Sequence, residues 1–277
     1  MPSIKSHQST TSTKLLFLGD SGAGKTGALA SLAQAGYSLR IMDFDNGLDV
    51  LKSFVTDSSS PYVKANPKCA DELYYVTLTE EMRHVGGKAV PKKADSWQKA
   101  LKLLDNWQEK DETGALAVDL GPLRNWGPND VLVIDSFTGM CNAALNLTLA
   151  MNGRLGSKPF QSDWGDAQAQ VEQFLELIKD KETKCNVILN CHVTWQGEDN
   201  GPQRGYPSAL GKALPPKVAR YFNTMLMARS DGVGANSRKI FTSSNGQIDM
   251  KNTNPLKVLP SYPLATGLAD YFKAVRT

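Results

Sequence analysis

Eight residues from Gly19 to Thr26 read GDSGAGKT and fit the spacing G-x-x-x-x-G-K-[S/T]. The chemistry of such a stretch is phosphate binding. Gly22 and Gly24 would let the backbone bend until successive N–H groups converge on one anion. A helix starting at Lys25 would add the positive end of its dipole. The Lys25 ammonium is then expected at the β- and γ-phosphates, and the Thr26 hydroxyl at Mg²⁺. The full nucleotide-contacting set expected is Gly19, Asp20, Ser21, Gly22, Ala23, Gly24, Lys25, Thr26 and Gly27.

Three further groups could work on a phosphate held there. Asp43-Phe44-Asp45-Asn46-Gly47 puts carboxylates before a turn, and one acid could polarise an attacking water. Asp135 ends the run Val131-Leu132-Val133-Ile134 and, beside Thr26, would hold Mg²⁺ through water. Ser136 fits a supporting role there or a helix cap. His192 follows Asn190-Cys191 and could donate a hydrogen bond to a γ-phosphate.

These groups need strands to carry them. Residues 14–18 are an apolar run before the glycine loop, and Ala28, Leu29, Leu32 and Ala33 recur at helical spacing after it. Strands are also expected at 38–42, 73–78, 131–136, 186–192, 224–228, 238–242 and 248–252. In an open parallel sheet the strand ends on the phosphate-loop side line the site. Helices are expected at 94–107, 137–150, 166–181 and 265–275. Residues 80–94, with Arg83, His84, Lys88, Lys92 and Lys93, read as a solvated loop, or as a contact for an acidic partner. Residues 231–237 have hairpin-like composition. Residues 152–164 read as a mobile loop, and 194–217 as a Gly/Pro-rich loop in which aromatics alternate with cations, a composition suited to single-stranded nucleic acid.

The chain has 277 residues, 41% hydrophobic and 21% charged, enough for a sizeable core in an ordinary soluble protein. A net charge of +3 does not by itself argue for nucleic acid, so any basic surface must be local. The four cysteines show no zinc spacing and are expected to be reduced thiols. No run is long enough to cross a membrane, and the Ser/Thr-rich start lacks the apolar stretch of a signal peptide. Residues 1–13, including His7, read as a flexible tail, and 14–277 as a single domain.

The order of parts resembles the RecA-like ATPase core over about 15–257, and most closely the phage-encoded single-strand annealing and recombination ATPases of the Sak-four type. The resemblance implies a P-loop NTPase of α/β class: a mostly parallel twisted sheet flanked by helices, with antiparallel strands toward the C-terminus. It implies ATP and Mg²⁺ as cofactors, with Thr26 and Asp135 at the metal. Asp45 takes the place of the catalytic glutamate, and Ile134-Asp135-Ser136 matches the Walker B segment. His192, with Asn190 as its rival, replaces the phosphate sensor. Lys251 in Met250-Lys251-Asn252-Thr253 would reach a neighbouring subunit's ATP. The catalytic set is then Lys25, Asp45, Asp135, His192 and Lys251. Single-stranded DNA would meet Arg154, Lys158 and Trp164 on a first loop, and Trp195, Arg204, Tyr206 and Lys212 on a second. The implied protein is an ATPase promoting annealing or recombination in the cytoplasm of an infected bacterium. It would work as a filament or ring with ATP at subunit interfaces, alongside a single-strand DNA-binding protein. A RecA-superfamily motor, helicase or loader for replication or packaging is the main alternative. A small-molecule kinase and a scarcely hydrolysing nucleotide switch are weaker ones.

Overall fold

The computed structural model describes residues 12–197, 201–234 and 237–276. Its first strand, β1 (Lys14–Leu18), is buried along its whole length and runs through the glycine loop into α1 (Lys25–Ala28) and α2 (Ala30–Gln34). β2 (Ser38–Asp43) follows, then α3 (Asp49–Thr56) and α4 (Pro61–Ala65). Pro61 and a Ser60 side chain that accepts from the Tyr62 N–H start α4. After β3 (Leu73–Thr77) comes a ribbon of β4 (Met82–Val85) and β5 (Lys88–Pro91). Next are α5 (Ser96–Asp105) and a second hairpin, β6 (Trp107–Lys110) with β7 (Leu116–Gly121). β8 (Asp130–Asp135) leads into α6 (Phe137–Met151), where the Ser136 hydroxyl accepts from the Gly139 N–H. Then come α7 (Gln161–Lys179), β9 (Asn186–Cys191), β10 (Val193–Gln196), β11 (Arg204–Pro207) and α8 (Pro215–Val218). The chain closes with β12 (Thr224–Ser230), β13 (Arg238–Phe241), β14 (Ser261–Pro263) and α9 (Gly267–Arg276).

Eight strands form one sheet in the order β14-β13-β12-β1-β9-β8-β2-β3. The six from β12 to β3 are parallel, and β13 and β14 add antiparallel strands at one edge. This is the α/β architecture expected of a RecA-like P-loop core. Both faces of the parallel part are covered, which is why its strands read as continuous apolar runs. Leu16, Leu18, Leu132, Ile134 and Leu189 pack on one face with Phe137, Val171 and Phe174. Leu15, Phe17, Val131, Val133 and Ile188 pack on the other with Leu29, Leu32 and Phe272. Register aligns the strand ends: Leu18 pairs with Cys191 and Met227, and Asp135 with Asn190 and Asp43.

Several expectations are revised. Residues 80–94 are not a loop: Gly86 and Gly87, at φ 58° and 77°, make the two-residue turn that joins β4 to β5. The hairpin of β6 and β7 was not anticipated. Helix α7 begins at Gln161, so Trp164 lies in a helix and packs half-buried against the core. The 194–217 loop contains β10, β11 and α8. Of the strand expected at 248–252, only a bridge between Lys251 and Met225 forms. Ser12 and Thr13 are buried rather than part of a tail, and the Thr13 N–H donates to the Asn186 side chain. The remainder of the expected tail, with His7, lies outside the described residues. All four cysteines are free and buried. No described helix is long and apolar enough to cross a membrane.

Candidate nucleotide site

The aligned strand ends open on a cavity of about 1400 Å³. Residues 20–27 form one wall, and Asp45, Asp135 and His192 form the next. Lys25 is almost fully buried and donates to the carbonyls of Gly19 at 2.7 Å and Asp20 at 3.1 Å. These bonds hold the ammonium inside its own loop. Burial lowers its pKa, and the Asp135 charge opposes that shift. Thr26 donates its hydroxyl to an Asp135 carboxylate oxygen at 2.7 Å. Thus the two expected metal ligands meet although β9 separates their strands.

Asp135 is 7% exposed. Its burial raises its pKa, while the hydrogen bond from Thr26 and the neighbouring Asn190 amide favour the carboxylate. Asn190 is fully buried, and neither of its polar side-chain atoms makes a well-aligned hydrogen bond. Hard oxygens from Thr26 and Asp135, beside a cradle that bends at Gly24 (φ 94°), fit a magnesium–nucleotide complex. A Cβ at Gly24 would stand 2.5 Å from the Leu264 side chain.

The two acids of the 43–47 turn have separate jobs. Asp43 is buried and accepts from the N–H groups of Asp45 and Gly47, so it fixes the turn. Burial raises its pKa. Asp45 faces the cavity. It touches α6: a Cβ at Gly139 would come within 2.7 Å of the Asp45 carboxylate and of Phe44. Gly139 was not singled out in the sequence, because the close approach joins segments about ninety residues apart.

The far side of the cavity was also missed. Val50, Phe54, Tyr62 and Leu264 supply an apolar wall, closed by a hydrogen bond from the Tyr62 hydroxyl to the Ala265 carbonyl at 2.9 Å. Arg229 and Arg238 line it from β12 and β13. The Arg229 guanidinium lies 4.5 Å from the centre of the Phe241 ring. Arg238 is exposed, and its guanidinium would lie 3.8 Å from a Cβ at Gly24.

Lys251 is not in this cavity. Its backbone pairs with Met225, near the start of β12, and its ammonium donates to the Phe222 carbonyl at 2.7 Å. That is the opposite end of the sheet from the phosphate loop, so no contact with the chain's own nucleotide follows.

The expected DNA residues divide. Arg154 is not a free cation: it pairs with the buried carboxylate of Asp163 and lies over the Phe160 ring. Arg204 donates to Asp249 at 2.5 Å. Trp164 is committed to the core face of α7. Lys158 and Lys212 are exposed, Tyr206 is half-buried, and Trp195 is 45% exposed on β10. The β10–β11 hairpin, with Trp195, Arg204 and Tyr206, follows β9 directly after His192, which lines the cavity.

A family model described as an AAA domain matches residues 11–254. No curated protein matches the chain. Among solved structures, the RadB recombinase is similar at 11% identity over 93% of this chain and 90% of that one, with a TM-score of 0.48. A prototypical ATPase from the type III secretion system of pathogenic bacteria is similar at 12% identity and TM-score 0.43; 78% of this chain spans only 52% of that one. Both scores describe a remote likeness.

Proposed function

Because the chain belongs to the AAA domain family and is a P-loop ATPase, we propose that it couples ATP hydrolysis to binding of single-stranded DNA, and so promotes annealing or recombination. One observation supports this most. The strand that brings His192 to the phosphate cavity passes straight into the largely half-buried β10–β11 hairpin, which exposes Trp195. A change at the γ-phosphate would thereby reach a surface suited to unstacked bases.

The triphosphate would lie along residues 20–27, and its base against Val50, Phe54 and Leu264. Bound Mg²⁺, held by Thr26 and Asp135, would neutralise charge on the β- and γ-oxygens. Asp45 would take a proton from the attacking water as its oxygen bonds to the γ-phosphorus and the bond to the β-phosphate oxygen breaks. Lys25 and Arg238 would balance charge on the phosphates. His192, with Asn190 as its rival, would sense the γ-phosphate. The residues from 12 on would act as one domain in the host cytoplasm. Lys251, exposed at the other end of the sheet, could reach ATP only in a neighbouring subunit of an oligomer.

The test is binding of a labelled single-stranded oligonucleotide at low salt, with and without a non-hydrolysable ATP analogue. Tighter binding with the analogue, lost in Trp195→Ala, is expected. No binding in either condition rules the reading out.

A further inference from the structure

The ribbon of β4 and β5 has no part in the nucleotide site, yet it carries a local basic surface. It leaves the sheet at the end of β3, where the Leu78 N–H donates to the Asp43 carbonyl, so it stands at the same end as the cavity. Every residue from 81 to 89 is exposed. Arg83 pairs opposite Val90, and Val85 opposite Lys88. Residues directly opposite in an antiparallel pair share a face, so Arg83, Val85, Lys88 and Val90 point to one side. Val90 identifies what that side meets. A Cβ at Gly156 would fall 2.6 Å from a Val90 methyl, so the backbone at Gly156 lies against the ribbon. That segment is itself pinned, since the buried Asp163 carboxylate takes Arg154, the Asn152 amide and the Phe160 N–H. It presents Lys158 and Phe160, an exposed residue with Arg154 over one face of its ring.

Among the described residues no carboxylate pairs with Arg83, Lys88 or Lys158. Strands β4 and β5 hold no acid. Exposed Val85 lies between Arg83 and Lys88 on their shared face. Unpaired cations interleaved with apolar and aromatic groups fit a flexible polyanion that also offers ring faces. We infer that the ribbon and the 152–160 segment form one surface that takes the phosphate backbone of single-stranded DNA. This rests on the DNA-binding function proposed above and adds the β4–β5 ribbon to the segment whose Lys158 was already expected at DNA. Helix α6 joins the two regions: it starts next to Asp135 and ends at this surface.

The test measures affinity for a labelled oligothymidylate across a salt series, in the wild type, Arg83→Ala/Lys88→Ala and Arg83→Lys/Lys88→Arg. Losing two phosphate contacts should weaken binding about tenfold at low salt and lower the slope of log affinity against log salt by about 1.4, at about 0.7 per contact. The conservative pair should keep the wild-type slope, and ATP turnover without DNA should be the same in all three. Lys88→Ala alone, beside the exposed turn, should lose about half the slope change and serves if the double variant is unstable. Wild-type affinity and slope in the alanine variants would overturn the inference and leave the ribbon to an acidic protein. Absence of DNA binding by the wild type would instead remove the proposed function, and this surface with it.

Discussion

At the phosphate loop, each side chain can be given a separable task. Lys25→Ala should abolish turnover and weaken nucleotide binding together, because on the proposed reading its ammonium would serve bound and reacting phosphate alike. Asp45→Asn should leave binding of a fluorescent ATP analogue intact and cut turnover by about 100-fold or more, the usual loss of a positioned base. Gly139→Ala tests the same acid indirectly. A methyl 2.7 Å from the Asp45 carboxylate must move it, and a displacement of about 1 Å costs on the order of 100-fold in kcat. KM should hold, and a wild-type kcat in this variant would contradict the contact. Arg238→Ala should weaken ADP and ATP binding about tenfold, the loss of one charge-assisted hydrogen bond, with Arg238→Lys between the two. Titration calorimetry measures it directly.

Elements differ in how far local sequence specifies them. The glycine loop, β8 and β9 were legible because each is short-range pattern: fixed spacing, or an unbroken apolar run buried on both faces. The ribbon was hidden by its charge, although Gly86-Gly87 between alternating residues was its turn signal. Helix α7 was placed several residues late because Phe160, at its start, offers no side-chain acceptor. Asp163 instead reaches back to the Phe160 N–H. The same carboxylate holds Arg154, so a residue assigned to DNA is a structural clamp. Asp163→Ala should therefore speed amide exchange across 152–160 and lower the melting temperature, while leaving the exchange of β8 and β9 unchanged. Arg238 and Leu264 could not be read at all. They reach the loop only because β12, β13 and β14 extend the sheet over it.

Across the whole molecule, the parallel sheet separates a working end from a structural end. The structural end holds a buried cation: Lys14 donates to the carbonyls of Thr183 and Cys185, and burial lowers its pKa to about 8. The unfolded chain keeps that proton up to about pH 10.5, so stability rises as pH climbs from about 8 toward 10.5. Below pH 8 the charged amine costs about 3 kcal/mol. Urea unfolding of wild type against Lys14→Met should thus shift in favour of the wild type by about 2 kcal/mol between about pH 8 and pH 10. The working end carries the central claim, that one cavity reports its phosphate to a DNA surface through His192. Steady-state phosphate release from ATP, with and without single-stranded DNA at low salt, tests that link most directly. Turnover should rise with DNA in the wild type and vanish in Lys25→Ala under both conditions. An equal wild-type rate with and without saturating DNA would contradict it.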